Sequence, residues 1–172
     1  ASVRVWEVRK DAETMVLQGH RAPVRALALS PDGRVLASAS DDETVRLWEP
    51  SSGRSLGVLK SHRAPVTSLV FSPDGKFLIT GSQDRTLDVW LHARGKLQKP
   101  LRKELASGVV ALAAHGSHVV SASSDGMLTL WDIGGTRPVQ QASAHADISA
   151  LAVTAQGTLV SASRDGVLRV WD

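Results

Sequence analysis

The sequence predicts an all-β chain built from repeated four-stranded antiparallel sheets, and three observations predict it. The five tryptophans, Trp6, Trp48, Trp90, Trp131 and Trp171, follow one another at intervals of 42, 42, 41 and 40 residues. The text between them repeats: His20-Arg21-Ala22-Pro23-Val24 returns as His62-Arg63-Ala64-Pro65-Val66, and Ser30-Pro31-Asp32-Gly33 as Ser72-Pro73-Asp74-Gly75. No window long enough for a helix carries apolar residues at a 3.6-residue period, whereas short alternating runs are common. A sustained period of about 40 residues marks an array of stacked supersecondary units.

Each element follows from its residues. Residues 3–6 end at Trp6 and match the third strand of a unit, and Thr14 to Gln18 supplies a fourth. Val24 to Leu29 is a mostly apolar first strand. Pro31-Asp32-Gly33 turns the chain, proline presetting φ and glycine accepting a positive φ. Val35 to Ser40 is a second strand, with Leu36, Ser38 and Ser40 on one face and Val35, Ala37 and Ala39 on the other. Asp42 opens the next turn, Thr44 to Trp48 alternates as a third strand, and Ser51-Ser52-Gly53 interrupts before a fourth, Ser55 to Leu59. The later units repeat this order, with Asp125-Gly126 and Asp165-Gly166 as hairpin signals. Val167 to Asp172 is again a third strand. The units are bounded at roughly 1–18 (partial), 19–60, 61–103, 104–142 and 143–172.

Three units open and close with Gly19-His20 and Trp48-Glu49, Ser61-His62 and Trp90-Leu91, and Ala144-His145 and Trp171-Asp172. Trp131-Asp132 ends a further unit, whose histidine position holds Leu105. An aspartate stands six residues before four of the tryptophans: Asp42, Asp84, Asp125 and Asp165. In these features the chain resembles the WD-repeat family of β-propellers over essentially its whole length. The resemblance implies twisted four-stranded blades around a common axis. It also implies a network in each blade, in which Asp holds His, His meets a Ser hydroxyl, and that hydroxyl meets the indole N–H. Carried over by motif, the members are His20, Ser40, Asp42 and Trp48, then His62, Ser82, Asp84 and Trp90. His145, Ser163, Asp165 and Trp171 follow with a His-to-Asp spacing two residues shorter. The third unit keeps Ser123, Asp125 and Trp131 without the histidine, so that blade is expected to be less tightly tied at its inner edge.

A recurring Ser, His and Asp invites a hydrolase reading. A nucleophile, however, needs an exposed hydroxyl and an oxyanion hole; no Gly-x-Ser-x-Gly elbow occurs, and active sites are rarely repeated along a chain. Unpaired buried imidazole or indole groups cost roughly 1–3 kcal/mol, which favours a structural network. The expectation is therefore a non-catalytic chain. The absence of cysteine removes thiolate chemistry, disulfides and cysteine zinc sites, and it suits a reducing, cytoplasmic setting. His115 and His118 flank a turn with no carboxylate nearby and read as solvated, and His92 reads as a loop residue. No metal or cofactor is expected. The longest uncharged apolar stretch, Val109 to Ala114, is far short of the roughly 20 residues of a membrane helix.

The formal charge is +3, with 20 basic residues dispersed among 17 acidic ones. Arg94 to Lys103, containing Lys96, Lys99, Arg102 and Lys103, is the one basic cluster, and so small a footprint argues against a nucleic-acid or acidic-polymer role. The resemblance instead implies protein partners docking on loops at one end of the blades. By motif the contact positions are Pro23, Arg25 and Asp41, then Pro65, Thr67 and Gln83, then Asp147, Ser149 and Arg164. In the third unit only Val110 and Ser124 transfer. The expected function is an interaction scaffold or the sensor end of a larger signalling protein; a propeller-based enzyme is the alternative. Rings of this family most often have seven blades, roughly 290 residues at this period. Both ends here bring a third strand, so they compete, and the remaining blades are expected from flanking sequence or another chain.

Overall fold

The structure, a computed structural model, describes residues 1–7, 12–93, 96–98 and 100–171, and every regular element among them is a β-strand. Arg94, Lys99 and Asp172, all named above, lie outside the described residues. β1 (Ser2–Glu7) and β2 (Ala12–Gln18) form a two-stranded sheet. The next sheet runs in chain order through β3 (Val24–Leu29), β4 (Leu36–Ser40), β5 (Val45–Trp48) and β6 (Ser55–Leu59). The second blade holds β7 (Val66–Phe71), β8 (Phe77–Ser82) and β9 (Thr86–Ala93), with β10 (Lys96–Leu97) and β11 (Leu101–Glu104) both paired to β9. The third holds β12 (Val109–His115), β13 (His118–Ser123), β14 (Met127–Asp132) and β15 (Pro138–Ser143). The fourth has three strands, β16 (Ile148–Val153), β17 (Leu159–Ser163) and β18 (Leu168–Trp171). His92 therefore belongs to a strand, not a loop: β9 runs past Trp90 to pair with β10, Leu97 facing His92.

The turns form as their residues dictate. The Ser30 hydroxyl donates to Asp32 at 2.6 Å, the Arg34 N–H donates to the same carboxylate at 3.1 Å, and Gly33 takes φ 71°. Ser72, Asp74, Lys76 and Gly75 reproduce the arrangement. The turn between second and third strands needs a left-handed residue, which is glycine at Gly126 and Gly166 but Glu43 and Arg85 in the first two blades. Each first strand carries an irregularity near its start, between Val24 and Ala26, Val66 and Ser68, Val109 and Ala111, and Ile148 and Ala150.

The first strands β3, β7, β12 and β16 lie side by side, so the blades stack in chain order. At the first and third interfaces, packing joins large residues on the leading face of one blade to several alanines on the trailing face of the blade before it, whereas between the second and third blades Ile79, Leu87 and Val89 meet Val109, Leu112 and Val119. Leu69 and Phe71 sit in a cluster with Ala37, Ala39, Val45 and Leu47, backed by Ala26 and Ala28. Leu151, Val153 and Leu159 meet Ala111, Ala113, Ala122 and Leu128 in the same way. Interleaving large with small residues fills space at interior density. β1 and β2 stand where the outer half of a preceding blade would, with Val3 and Leu17 against Trp48 and Leu36.

The two end faces are apolar and bare. The register puts Leu27, Leu69 and Leu112 at the same step of their strands, each beside the equivalent hydroxyl residue of the second strand. Leu69 is 6% exposed but Leu27 is 51%. On the opposite side, Leu168 and Val170 are 69% and 67% exposed, whereas Leu87, at the matching step of β9, is fully buried. No helix long and apolar enough to cross a membrane occurs among the described residues.

This difference sets up a paired test. In the 172-residue chain, Leu69→Ala should cost about 2–5 kcal/mol in urea unfolding, because it opens a cavity between blades, and Leu27→Ala less than about 1 kcal/mol. Equal costs would contradict the stacking described.

Candidate functional site

In the first blade one chain of hydrogen bonds crosses the sheet. The Trp48 indole N–H donates to Ser38 Oγ at 2.9 Å, Ser38 Oγ lies 2.8 Å from His20 Nε2, and His20 Nδ1 lies 2.9 Å from Asp42 Oδ2. A single set of donors satisfies it: indole to hydroxyl, hydroxyl to Nε2, and the Nδ1–H to carboxylate. Burial works against charge on Asp42. The Thr44 hydroxyl, the Arg21 N–H, His20 and the Thr44 N–H all donate to it and together hold its carboxyl well below the usual carboxylate range.

The second blade repeats this with a threonine: Trp90 donates to Thr80 Oγ1 at 3.2 Å, Thr80 meets His62 Nε2 at 2.8 Å, and His62 Nδ1 meets Asp84 at 3.1 Å. In the fourth blade Trp171 donates to Ser161, which lies 2.9 Å from His145 Nε2. There the chain stops. His145 Nδ1 is buried without a partner among the described residues, and Asp165 accepts instead from the Val167 N–H at 3.0 Å. The shorter His-to-Asp spacing leaves the carboxylate out of reach, so Asp165 is not a member of a network.

The bridging hydroxyls are Ser38, Thr80, Ser121 and Ser161, which corrects the assignment to Ser40, Ser82, Ser123 and Ser163. Both sets lie on one strand face, two residues apart, and no spacing rule separates them. Ser40, Ser82 and Ser163 tie the loop before the first strand, donating to the Ala22, Ala64 and Ala146 carbonyls at 3.0, 3.0 and 2.8 Å. Ser123 donates to Asp125 at 2.7 Å.

In the third blade Trp131 donates to Ser121 at 2.9 Å, and Leu105 packs where an imidazole stands elsewhere. Sequence reasoning missed the residue that works there. Lys103, reaching from β11 of the preceding blade, is 1% exposed, with Nζ 5.6 Å from the Trp131 ring centre. Its ammonium donates to the Asp132 carbonyl at 3.0 Å and to the Gly135 carbonyl, a strap between two blades. Burial pulls its pKa down, only partly opposed by Asp132. Arg102, its neighbour, forks onto the fully buried Asp88 at 2.8 Å through both Nε and Nη2. Of the Arg94–Lys103 cluster, Lys103 is thus committed inside the protein, and the exposed Arg102 is spent on an ion pair with Asp88.

The positions assigned to partner contact gather at one end of the blades on a repeated backbone frame. The Asp41, Gln83 and Arg164 N–H groups donate to the Pro23, Pro65 and Asp147 carbonyls at 3.0, 3.0 and 3.1 Å. In the third blade the Ser124 N–H donates to Gly108, which places Gly108 in the frame although sequence did not single it out. Arg25 forks onto Asp41, with Nε at 2.7 Å from Oδ1. Pro23, Gln83, Ser124, Asp147, Ser149 and Arg164 are exposed, and Pro65 and Val110 half-buried. Thr67 differs: its hydroxyl donates to Val109 O at 2.6 Å and joins adjacent first strands. His115 and His118 are exposed at a hairpin. Among the described residues no group of three or more His, Asp or Glu could hold a metal.

The hydroxyls flanked by imidazole are poor candidates for chemistry, since Ser38, Thr80 and Ser161 are fully buried. A family described as the TEP-1 second beta-propeller matches residues 1–172. The chain is 55% identical over 38 residues to WD repeat-containing protein SL1-17 of Schistosoma mansoni, 20% of this chain and 13% of that protein. The solved structure of U3-55K superposes with TM-score 0.82 and 27% identity over 90% of this chain and 50% of that one. The computationally designed Ika4 protein superposes with TM-score 0.75 and 29% identity over 90% of this chain and 94% of its own. The chain spans a small fraction of the curated relative and half of the U3-55K chain.

The network makes a direct prediction. Ser38→Ala strands a buried indole N–H and a buried imidazole nitrogen together and should cost about 2–4 kcal/mol, against about 1 kcal/mol for Ser40→Ala. The Trp48 indole proton resonance should move in the first variant and stay in the second; the reverse order would return Ser40 to the network.

Proposed function

The chain belongs to the family of the second β-propeller of TEP-1, and on that premise we propose that it is a non-catalytic scaffold that holds a protein partner on the loop end of its blades. The observation that carries this is the loop frame. Each blade closes the same backbone bond there while presenting a different side-chain pair: Pro23 with Asp41, Pro65 with Gln83, Asp147 with Arg164. A constant frame with variable side chains suits recognition, since rigid elements position the loop residues that bind. The fully buried hydroxyls disfavour hydrolysis, which needs a reachable nucleophile. An acidic-polymer role loses support because Arg102 and Lys103 are spent internally.

The proposal includes further blades, supplied by the same polypeptide, against the bare faces at Leu27 and at Leu168 and Val170. The double length of the U3-55K chain that this one matches supports that reading. A cytoplasmic setting is part of it, resting on the cysteine-free sequence.

Arg25→Glu with Arg164→Glu should lower affinity for the native partner by about tenfold or more in a quantitative pull-down with the full-length protein. The unfolding midpoint should stay nearly constant, since both side chains are exposed. Unchanged affinity would remove this face from consideration.

A further inference from the structure

The repeats expose one position where the pattern is left incomplete. Where the chain passes from the fourth strand of one blade into the next, the third strand offers a side chain toward the wedge, and the register pairs it with one on the fourth strand. In the second blade these are Asp88 and Arg102, in the third Thr129 and Gln141, and in the first Arg46 and Val58. Asp88 and Arg102 form the forked ion pair, and Ser61 adds a hydrogen bond to Asp88 at 2.6 Å. Gln141 donates to Thr129 at 3.3 Å. In the fourth blade, of which three strands are described, Arg169 turns to the Ala144 carbonyl.

Arg46 has no such resolution. Its Nε is shut away from solvent with no hydrogen-bond acceptor among the described residues. Val58 opposite offers only methyl groups. Gly19, at the place of Ser61, makes room for the guanidinium: a Cβ there would fall 2.6 Å from Arg46 Nη1. Arg46 lines an open cleft with Arg21, Lys60, Asp42 and Glu43. Asp42 is occupied by His20, the Arg21 N–H and Thr44, and Glu43 is exposed and makes no ion pair with Arg46. A guanidinium whose Nε has no acceptor among the described residues, at a cleft carrying further cations, holds unspent donor capacity.

We propose that this cleft receives a carboxylate, the Asp or Glu side chain of a partner protein segment, on Arg46, with Arg21 and Lys60 at its rim. In the second blade a single carboxylate sits in an arginine fork; at Arg46 the Nε is shut off from solvent and the Nη groups are left to meet the acid. Here the acid comes from outside the chain. The cleft shares no lining residue with the loop frame at Pro23 and Asp41, so it adds a second recognition point to the scaffold.

The test uses the full-length protein and a fluorescein-labelled peptide with glutamates spaced by Gly-Ser, read by anisotropy, beside its glutamine and phosphoserine counterparts. The glutamate peptide should bind at least about tenfold more tightly than the glutamine one. Arg46→Gln should remove that preference. Val58→Glu, which sets an acid opposite Arg46 as Asp88 stands opposite Arg102, should also remove it while raising the unfolding midpoint. Arg25→Glu should leave it intact, so failure of the loop-face reading and failure of this one are separable. Equal binding of glutamate and glutamine peptides, tighter binding of the phosphoserine peptide, or full binding by Val58→Glu would overturn the proposal.

Discussion

One hydrogen-bonded chain, indole to hydroxyl to imidazole, fixes how the first, second and fourth blades are assembled, and the third keeps its indole-to-hydroxyl bond. It ties the third strand to the second through Trp48 and Ser38, and then to the loop entering the first strand through His20. All three groups are buried, so each must find its partner inside the sheet or leave a polar atom desolvated at a cost of about 1–3 kcal/mol. The bond therefore sets the alignment of three strands at once. It accompanies a constant spacing, the hydroxyl standing ten residues before its indole in all four blades. Stacking follows, because a blade held in one register presents its apolar residues to the blades on either side.

The fold was legible because periodicity survives variation at single positions. The tryptophan spacing, the Ser-Pro-Asp-Gly turns and the Asp-Gly pairs each specify backbone geometry locally, and the strands fall where they place them. The identity of the bridging hydroxyl was not legible. Ser38 and Ser40 share a strand face and both sit at constant distances in sequence from Trp48; only the register of β4 against β5 selects the former. Asp165 failed for a related reason: its motif is intact, but two missing residues between it and His145 change the reach of the side chain.

Lys103 was hidden for a different reason. A lysine on an alternating polar strand reads as solvated, and its burial depends on the neighbouring blade's Trp131 and on two carbonyls near its turn. The same holds for Asp88 and Arg102, which lie fourteen residues apart in sequence and meet only through strand pairing. The pairings of third with fourth strands, and the Lys103 strap between blades, are where this chain departs from its own repeat. The loop frame repeats faithfully, whereas those strand pairs carry an ion pair, an amide–hydroxyl bond and a guanidinium opposite a valine. Repetition supplies the scaffold, and the departures supply individuality.

Hydrogen exchange at the five indole N–H groups tests the central constraint most directly. Trp48, Trp90, Trp131 and Trp171 should exchange slowly, each donating to a hydroxyl. Trp6, 54% exposed, should exchange at a rate near that of free indole. Five indoles exchanging alike, or fast exchange at Trp48 and Trp90, would contradict the account.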